Sequence, residues 1–169
     1  MMNIYILRHA VALQRGIKPF PNDDRPLTEE GLDKMSREAR GIVRVVEDLD
    51  VILASPMVRA RDTALIVAQA FRAESKVQVC NEMAPGSSLK HLMNYLAKYK
   101  KLKNIMLVGH EPDLAYFASA LLGMSSSIIE FKKGSLCCIE VTTIPSRREG
   151  KLLWHLTPKQ LRMIAKKEQ

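Results

Sequence analysis

The sequence predicts a three-layer α/β sandwich whose central sheet is mainly parallel and ends in an antiparallel C-terminal edge hairpin. Three observations predict it. Short apolar runs alternate with helical patterns along most of the chain, the order expected of a parallel sheet covered by helices. The early runs in MNIYIL, VILA and NIMLV are almost continuously apolar, as in strands buried on both faces. The last two runs flank the turn-rich segment TIPSRREG, as the strands of a hairpin do.

Strands are expected at 3–7, 51–54, 77–80, 105–108, 136–141 and 151–156. Thr28 is placed to cap a helix whose first turn carries Glu29 and Glu30 and which runs to about Glu47. Ser55-Pro56 predicts a cap followed by proline at the first helical position, with a helix to about Phe71. Ser87 or Ser88 opens a helix through Tyr99, and Pro112 opens another toward Leu122, ended by Gly123. Pro158 opens the last helix, toward Lys167. No repeat, low-complexity segment or linker divides the chain, so residues 1–169 are expected to form one domain. The longest loop lies between His9 and Thr28, and a loop of that length in a compact domain is often functional.

Composition narrows the function classes. A hydrophobic content of 47% excludes a disordered chain. Arg8 and His9 interrupt the only apolar run near the N-terminus, so no signal peptide is expected. No stretch approaches the roughly 20 apolar residues of a membrane span. A cytoplasmic protein is expected. Cys80, Cys137 and Cys138 form no C-x-x-C pair, and neighbours in a strand point to opposite faces, so these read as reduced structural thiols. The formal charge of +8 suits an acidic protein, a phosphorylated substrate or nucleic acid. Few aromatics are interleaved with the basic residues, which argues against nucleic acid.

Chemistry-bearing residues gather at strand ends. The first run leaves Arg8 and His9, the second leaves Ser55 with Arg59 one helical turn on, and the fourth leaves Gly109, His110 and Glu111. In parallel α/β sheets, ligands bind at the carboxyl ends of strands. Each residue alone has a plain structural explanation: a strand-end histidine caps or is solvated, Arg59 sits on a helix surface, Ser55 caps a helix. Coincidence at three strand ends favours a shared crevice. Two arginines there would repel a cation, and no acidic ligand has zinc-like spacing to either histidine, so no metal is expected.

These motifs resemble those of the histidine phosphatase (phosphoglycerate mutase-like) superfamily, and within it the SixA-type phosphohistidine phosphatases. Arg8-His9-Ala10 corresponds to an Arg-His-Gly signature, with a small residue still at the third place. RPLTEEG at 25–31, SPMVRARDTA at 55–64, NEMAPG at 81–86 and LVGHEPDL at 107–114 follow in family order. The resemblance implies that His9 is a nucleophile that becomes transiently phosphorylated. It implies that Arg8 and Arg59 clamp the phosphoryl oxygens, as bidentate guanidinium groups suit, and that His110 stabilises the transition state, cationic once phosphate is bound. Ser55 and Arg25 are substrate-binding candidates, and Glu82 or Glu111 is a possible general acid. His91 and His155 match no motif and read as surface and strand residues. No metal or organic cofactor is implied.

The segment between the third and fourth strands, 81–104, has room for one helix, so an open site is expected. Openness favours a phosphohistidine side chain on a protein, such as a histidine phosphotransfer domain. Its imidazole leaving group also departs protonated without a dedicated carboxylic acid. A small phosphorylated metabolite cleaved by the same mechanism is the alternative. A non-catalytic basic module that binds phosphate or RNA is a third reading, against which the paired histidines and arginines argue.

Overall fold

The computed structural model describes residues 1–16, 20, 23–144 and 150–166. Residues 17–19 and 21–22 of the long loop, 145–149 of the hairpin turn, and Lys167 at the expected end of the last helix lie outside the described residues. Six strands form one sheet in the order β3-β2-β4-β1-β5-β6. They are β1 (Met2–Arg8), β2 (Val51–Ala54), β3 (Val77–Val79), β4 (Asn104–Gly109), β5 (Leu136–Val141) and β6 (Lys151–Leu156). The first four run parallel, β5 is antiparallel to β1, and β6 pairs antiparallel with β5.

Helices α1 (Glu29–Val45), α2 (Val58–Phe71) and α5 (Pro158–Ala165) cover one face. Helices α3 (Leu89–Leu96) and α4 (Asp113–Leu121) cover the other. Alternation along the strands divides the core: Ile4 and Ile6 point into one layer, Tyr5 and Leu7 into the other. Cys137 and Cys138 likewise lie in opposite layers, and burial pushes all three thiols up from their ordinary value.

Several boundaries differ from the sequence expectation, each for a local reason. The first strand extends to Arg8, which pairs with Gly109. Helix α1 stops at Val45, because Val46 turns extended and is buried as the chain leaves toward β2. Helix α2 begins at Val58, not Pro56; its N-cap Met57 has no capping side chain, and Asp24 Oδ1 accepts from the Val58 amide instead at 2.6 Å. Helix α3 ends at Leu96 and tightens into a 3₁₀ turn over Ala97–Tyr99. Thr157 and Gln160 form a reciprocal capping box around Pro158, satisfying the first amides of α5. Gly41 permits the close contact of α1 with α5: a Cβ there would lie 2.1 Å from the Leu161 carbonyl oxygen.

Candidate active site

The carboxyl ends of β1, β2 and β4 are adjacent, and their register sets the site. Arg8 lies beside Gly109 and Ala54 beside Val108, so His9, Ser55 and His110 all follow one edge of the sheet. Backbone bonds tie the exits of β1 and β2 to β4: His9 N–H donates to the Gly109 carbonyl at 3.0 Å and Ser55 N–H to the Val108 carbonyl at 2.9 Å. Leu114 Cδ2 and Met83 Cε would lie 3.1 and 3.2 Å from a Cβ at Gly109, so the approach to His110 is tight.

The two imidazoles face one another with ring centroids 5.1 Å apart, and both are nearly buried. His9 Nδ1 lies 2.7 Å from the Ala10 carbonyl oxygen. A carbonyl only accepts, so Nδ1 carries the proton and Nε2 keeps its lone pair. Burial pushes His9 down to about 3; the Ala10 carbonyl opposes this, and His110, Arg59 and Arg8 reinforce it. His110 is likewise pushed down to about 3, by burial first and then by Arg59 and Arg8. Both rings are therefore neutral at pH 7 in the ligand-free protein.

Arg59 is nearly buried in the first turn of α2, where Ala60 and Ala64 let the helix lie against the sheet. One terminal nitrogen donates to the Asp23 carbonyl oxygen at 2.7 Å, and the other lies 3.7 Å from the Asp23 carboxylate. Arg8 donates to the Phe131 carbonyl oxygen at 2.6 Å. Thr63 locks the two halves together: it accepts from the Ala10 amide at 3.0 Å and donates to the Arg59 carbonyl oxygen at 2.7 Å. Even so, Arg8 Nε, Arg59 Nε and His110 Nδ1 are buried with no hydrogen-bond partner. Buried polar groups without partners are costly. The charges of Arg8 and Arg59 act on both imidazole rings, and guanidinium groups keep their charge when buried. The arrangement is chemically suited to an anion.

The other candidates divide. Ser55 is fully buried, and its hydroxyl lies 2.7 Å from His110 Nε2, so it sets the orientation of that ring. Arg25 is held by the Asp23 carboxylate, at 2.6 Å from Nε, and by the Leu13 carbonyl oxygen. Glu82 lines a cavity of about 300 Å³ together with His110, and accepts a weak 3.5 Å hydrogen bond from Cys80 Sγ. Glu111 is not among the residues lining that cavity, and its charge acts on Arg8. Its Oε1 accepts from the Phe131 amide at 3.2 Å, so it braces the segment that anchors Arg8, and burial pushes its carboxyl up. His91 is exposed, and His155 sits in β6 opposite Cys137. No group of three or more His, Cys, Asp or Glu side chains is placed to hold a metal ion among the described residues.

Asp23, Asp24, Thr63 and Phe131 were missed as site residues. NDDRP puts two acids beside Arg25, and SPMVRARDTA contains Thr63, so both leave a signal. Phe131 contributes a backbone carbonyl, for which no side-chain signal exists. Helix α3 and the turn before it line one side of the cavity beside His110, which eight helical residues suffice to do.

Residues 4–84 match the pattern of the histidine phosphatase superfamily (branch 1). A phosphohistidine phosphatase SixA homolog of Haemophilus influenzae is 30% identical over 138 residues, covering 75% of this chain and 81% of that protein. An uncharacterized Picosynechococcus protein is 30% identical over 166 residues, covering 95% of this chain and 99% of the other. The structure of the protein histidine phosphatase SixA complexed with tungstate superposes with a TM-score of 0.82 at 21% identity, covering 95% of this chain and 99% of that one. Sheet order, crevice and sequence likeness converge: the chain is a phosphatase that belongs to the histidine phosphatase superfamily, of the SixA type.

Proposed function

We propose that this phosphatase hydrolyses phosphohistidine carried on a protein, in the cytoplasm, through a transient phospho-His9. The observation that carries the reading is the pairing of the His9 and His110 rings, with centroids 5.1 Å apart, under the charge of two arginines, Arg8 and Arg59, whose Nε atoms are buried without partners. His9 Nε2 attacks phosphorus, and the phosphorus–nitrogen bond of the substrate breaks. The departing imidazole leaves with a proton already on its ring, so no carboxylic acid is required. Water then attacks phospho-His9, giving inorganic phosphate and regenerating the Nε2 lone pair. Arg8 and Arg59 hold the equatorial oxygens. A bound phosphate dianion offsets their effect on His110, raising its proton affinity so that it stabilises the transition state as a cation. Ser55 is a positioning residue for His110. The reaction proceeds without a metal, since the guanidinium pair already neutralises the transferring group.

The cavity beside His110 favours a second reading, a small phosphoester whose leaving group enters it and is protonated by Glu82. A turnover screen decides between them. A phosphohistidine protein domain, free phosphohistidine, a phosphoserine peptide and a panel of small phosphoesters are compared, with and without chelator. The phosphohistidine protein is expected to give the highest kcat/KM, unchanged by chelator. One small ester ahead by about tenfold or more, equivalent to about 1.4 kcal/mol, would overturn the protein-substrate reading.

A further inference from the structure

We propose that a basic band running from the mouth of the phosphate site across the α1–α5 groove is the docking surface for an acidic face of the phosphorylated substrate protein. The inference rests on the protein-phosphohistidine reading above.

The band starts at Lys133. The turn that carries it wraps the end of β1: Gly134 N–H donates to the Arg8 carbonyl and Arg8 N–H to the Ser135 carbonyl, each at 3.1 Å. Partial burial lowers the proton affinity of the Lys133 ammonium, and Arg8, Arg25 and Arg59 act on it in the same direction. Lys133 then shares a cavity of about 200 Å³ with Ala10, Lys34, Glu38 and Arg162. Arg162 in turn lines a second groove of about 230 Å³ with Arg37, Arg40, Lys159, Met163 and Lys166.

Sequence spacing explains the band. Lys34, Arg37 and Arg40 recur at i, i+3 and i+6 on α1, and Lys159, Arg162 and Lys166 at i, i+3 and i+7 on α5, so each set forms one stripe. The contact at Gly41 and Leu161 brings the stripes together. Three carboxylates answer them: Glu30 pairs with Lys34, Asp33 with Arg37 and Glu38 with Arg162. Among the described residues, Arg40, Lys133, Lys159 and Lys166 form no ion pair. Like charges facing across a groove cost stability, and an acidic partner would relieve that repulsion. Met163, 59% exposed amid these cations, adds an apolar contact of the kind a protein interface uses. The groove has no aromatic lining for bases to stack on, which favours a protein over nucleic acid.

The test is the triple variant Arg40→Gln, Lys159→Gln, Lys166→Gln, none of which touches the phosphate site. Its substrates are an acidic protein domain phosphorylated on histidine, and free phosphohistidine. At low salt, kcat/KM for the domain should fall about tenfold and depend less on salt than wild type, while free phosphohistidine changes by less than about twofold. The variant's Tm should rise. Unchanged turnover of the domain, or an equal loss on both substrates, would overturn the proposal. So would a groove that binds a short RNA in wild type and loses it in the variant with domain turnover intact. Failure of the substrate reading shows separately, as wild-type protein that leaves the phosphodomain intact while cleaving a small ester.

Discussion

Two carboxylates meet arginines close to the Arg8–His9–Ala10 segment, and their surroundings treat them in opposite ways. The Asp23 side chain is 32% exposed and is shared by Arg15, Arg25 and Arg59. Partial burial opposes its ionisation, but hydrogen bonds from Arg25 and Arg15 hold its carboxyl below the usual range. The Glu38 side chain is 4% exposed and faces Arg162, and burial pushes it up to about 7 despite that partner. Several cations plus solvent access keep a carboxylate charged and exchangeable. One cation in a closed space does not. On the proposed reading the mouth trades one anion for another, whereas Glu38 serves to hold α1 against α5 and the turn at Gly134, where an added Cβ would lie 2.4 Å from its Oε2.

The mouth is where substitution should cost most activity and least stability. His9→Ala should abolish turnover while the protein stays folded, and acid-labile label from a phosphorylated substrate should appear on wild-type His9 after rapid quench. Wild-type rates in His9→Ala would sink the nucleophile assignment. Arg59→Lys keeps a charge but loses the fork. It should lower kcat/KM on the order of 10²-fold, equivalent to about 2.7 kcal/mol. A change within about twofold would make Arg59 a structural residue, like Arg162.

Behind the mouth the balance reverses. Glu38→Ala should destabilise by about 2 kcal/mol, less than the roughly 3–5 typical of a fully buried pair, because the Arg162 side chain is 26% exposed and turns to water. Its kcat should stay within about threefold of wild type, and a larger loss of activity than of Tm would contradict the division.

A pH series sharpens the same contrast. Between pH 6.5 and 3 the unfolded chain binds protons that His9 and His110 refuse in the fold, so these two groups make stability fall as pH drops. Glu38 acts oppositely: from 4.5 to about 7 the fold holds a proton that the unfolded chain releases, so its contribution falls as pH rises. Glu38→Gln removes the opposing slope. Its unfolding free energy should therefore climb more steeply than wild type between pH 5 and 6.5, by up to about 1.4 kcal/mol per pH unit. A climb no steeper than wild type would mean that Glu38 is ionised throughout.

What the sequence revealed about these regions follows the range of the interactions. Arg8, His9, Ser55 and His110 were legible because continuous apolar runs mark buried parallel strands, and a polar residue ending such a run must sit at the sheet edge. Arg59 was legible through its one-turn offset from Ser55. The partners of these residues were not. Arg8 finds a backbone carbonyl 123 residues away, Val58 is capped by an acid 34 residues before it, and Ser55 turns to His110 55 residues on. Local patterning carries no trace of such pairings. Ser55 shows the cost: a serine before proline reads as a cap, and its hydroxyl does accept from the Met57 amide at 3.4 Å, but its shorter contact, at 2.7 Å, is with His110 Nε2. Glu38 gave still less warning, since a helical glutamate ordinarily faces water.

The smallest expected effect tests the exchange idea directly. On the proposed reading Asp23 competes with phosphate for Arg59 and Arg25, yet it also anchors Arg59 through its own carbonyl oxygen at 2.7 Å. Asp23→Asn removes the competing charge and keeps the carbonyl. Asparagine also tolerates the left-handed backbone at this position, where φ is 59°, so the loop is not strained. Inorganic phosphate should therefore inhibit Asp23→Asn about threefold more tightly than wild type, with kcat within about twofold. Asp23→Ala would confuse the matter, since a Cβ without a hydrogen-bonding head is disfavoured in that conformation. Should phosphate bind Asp23→Asn more weakly than wild type, the carboxylate is a positioning group for Arg59 rather than a stand-in for the substrate. The mouth would then resemble the Glu38 pair more closely than their exposures suggest.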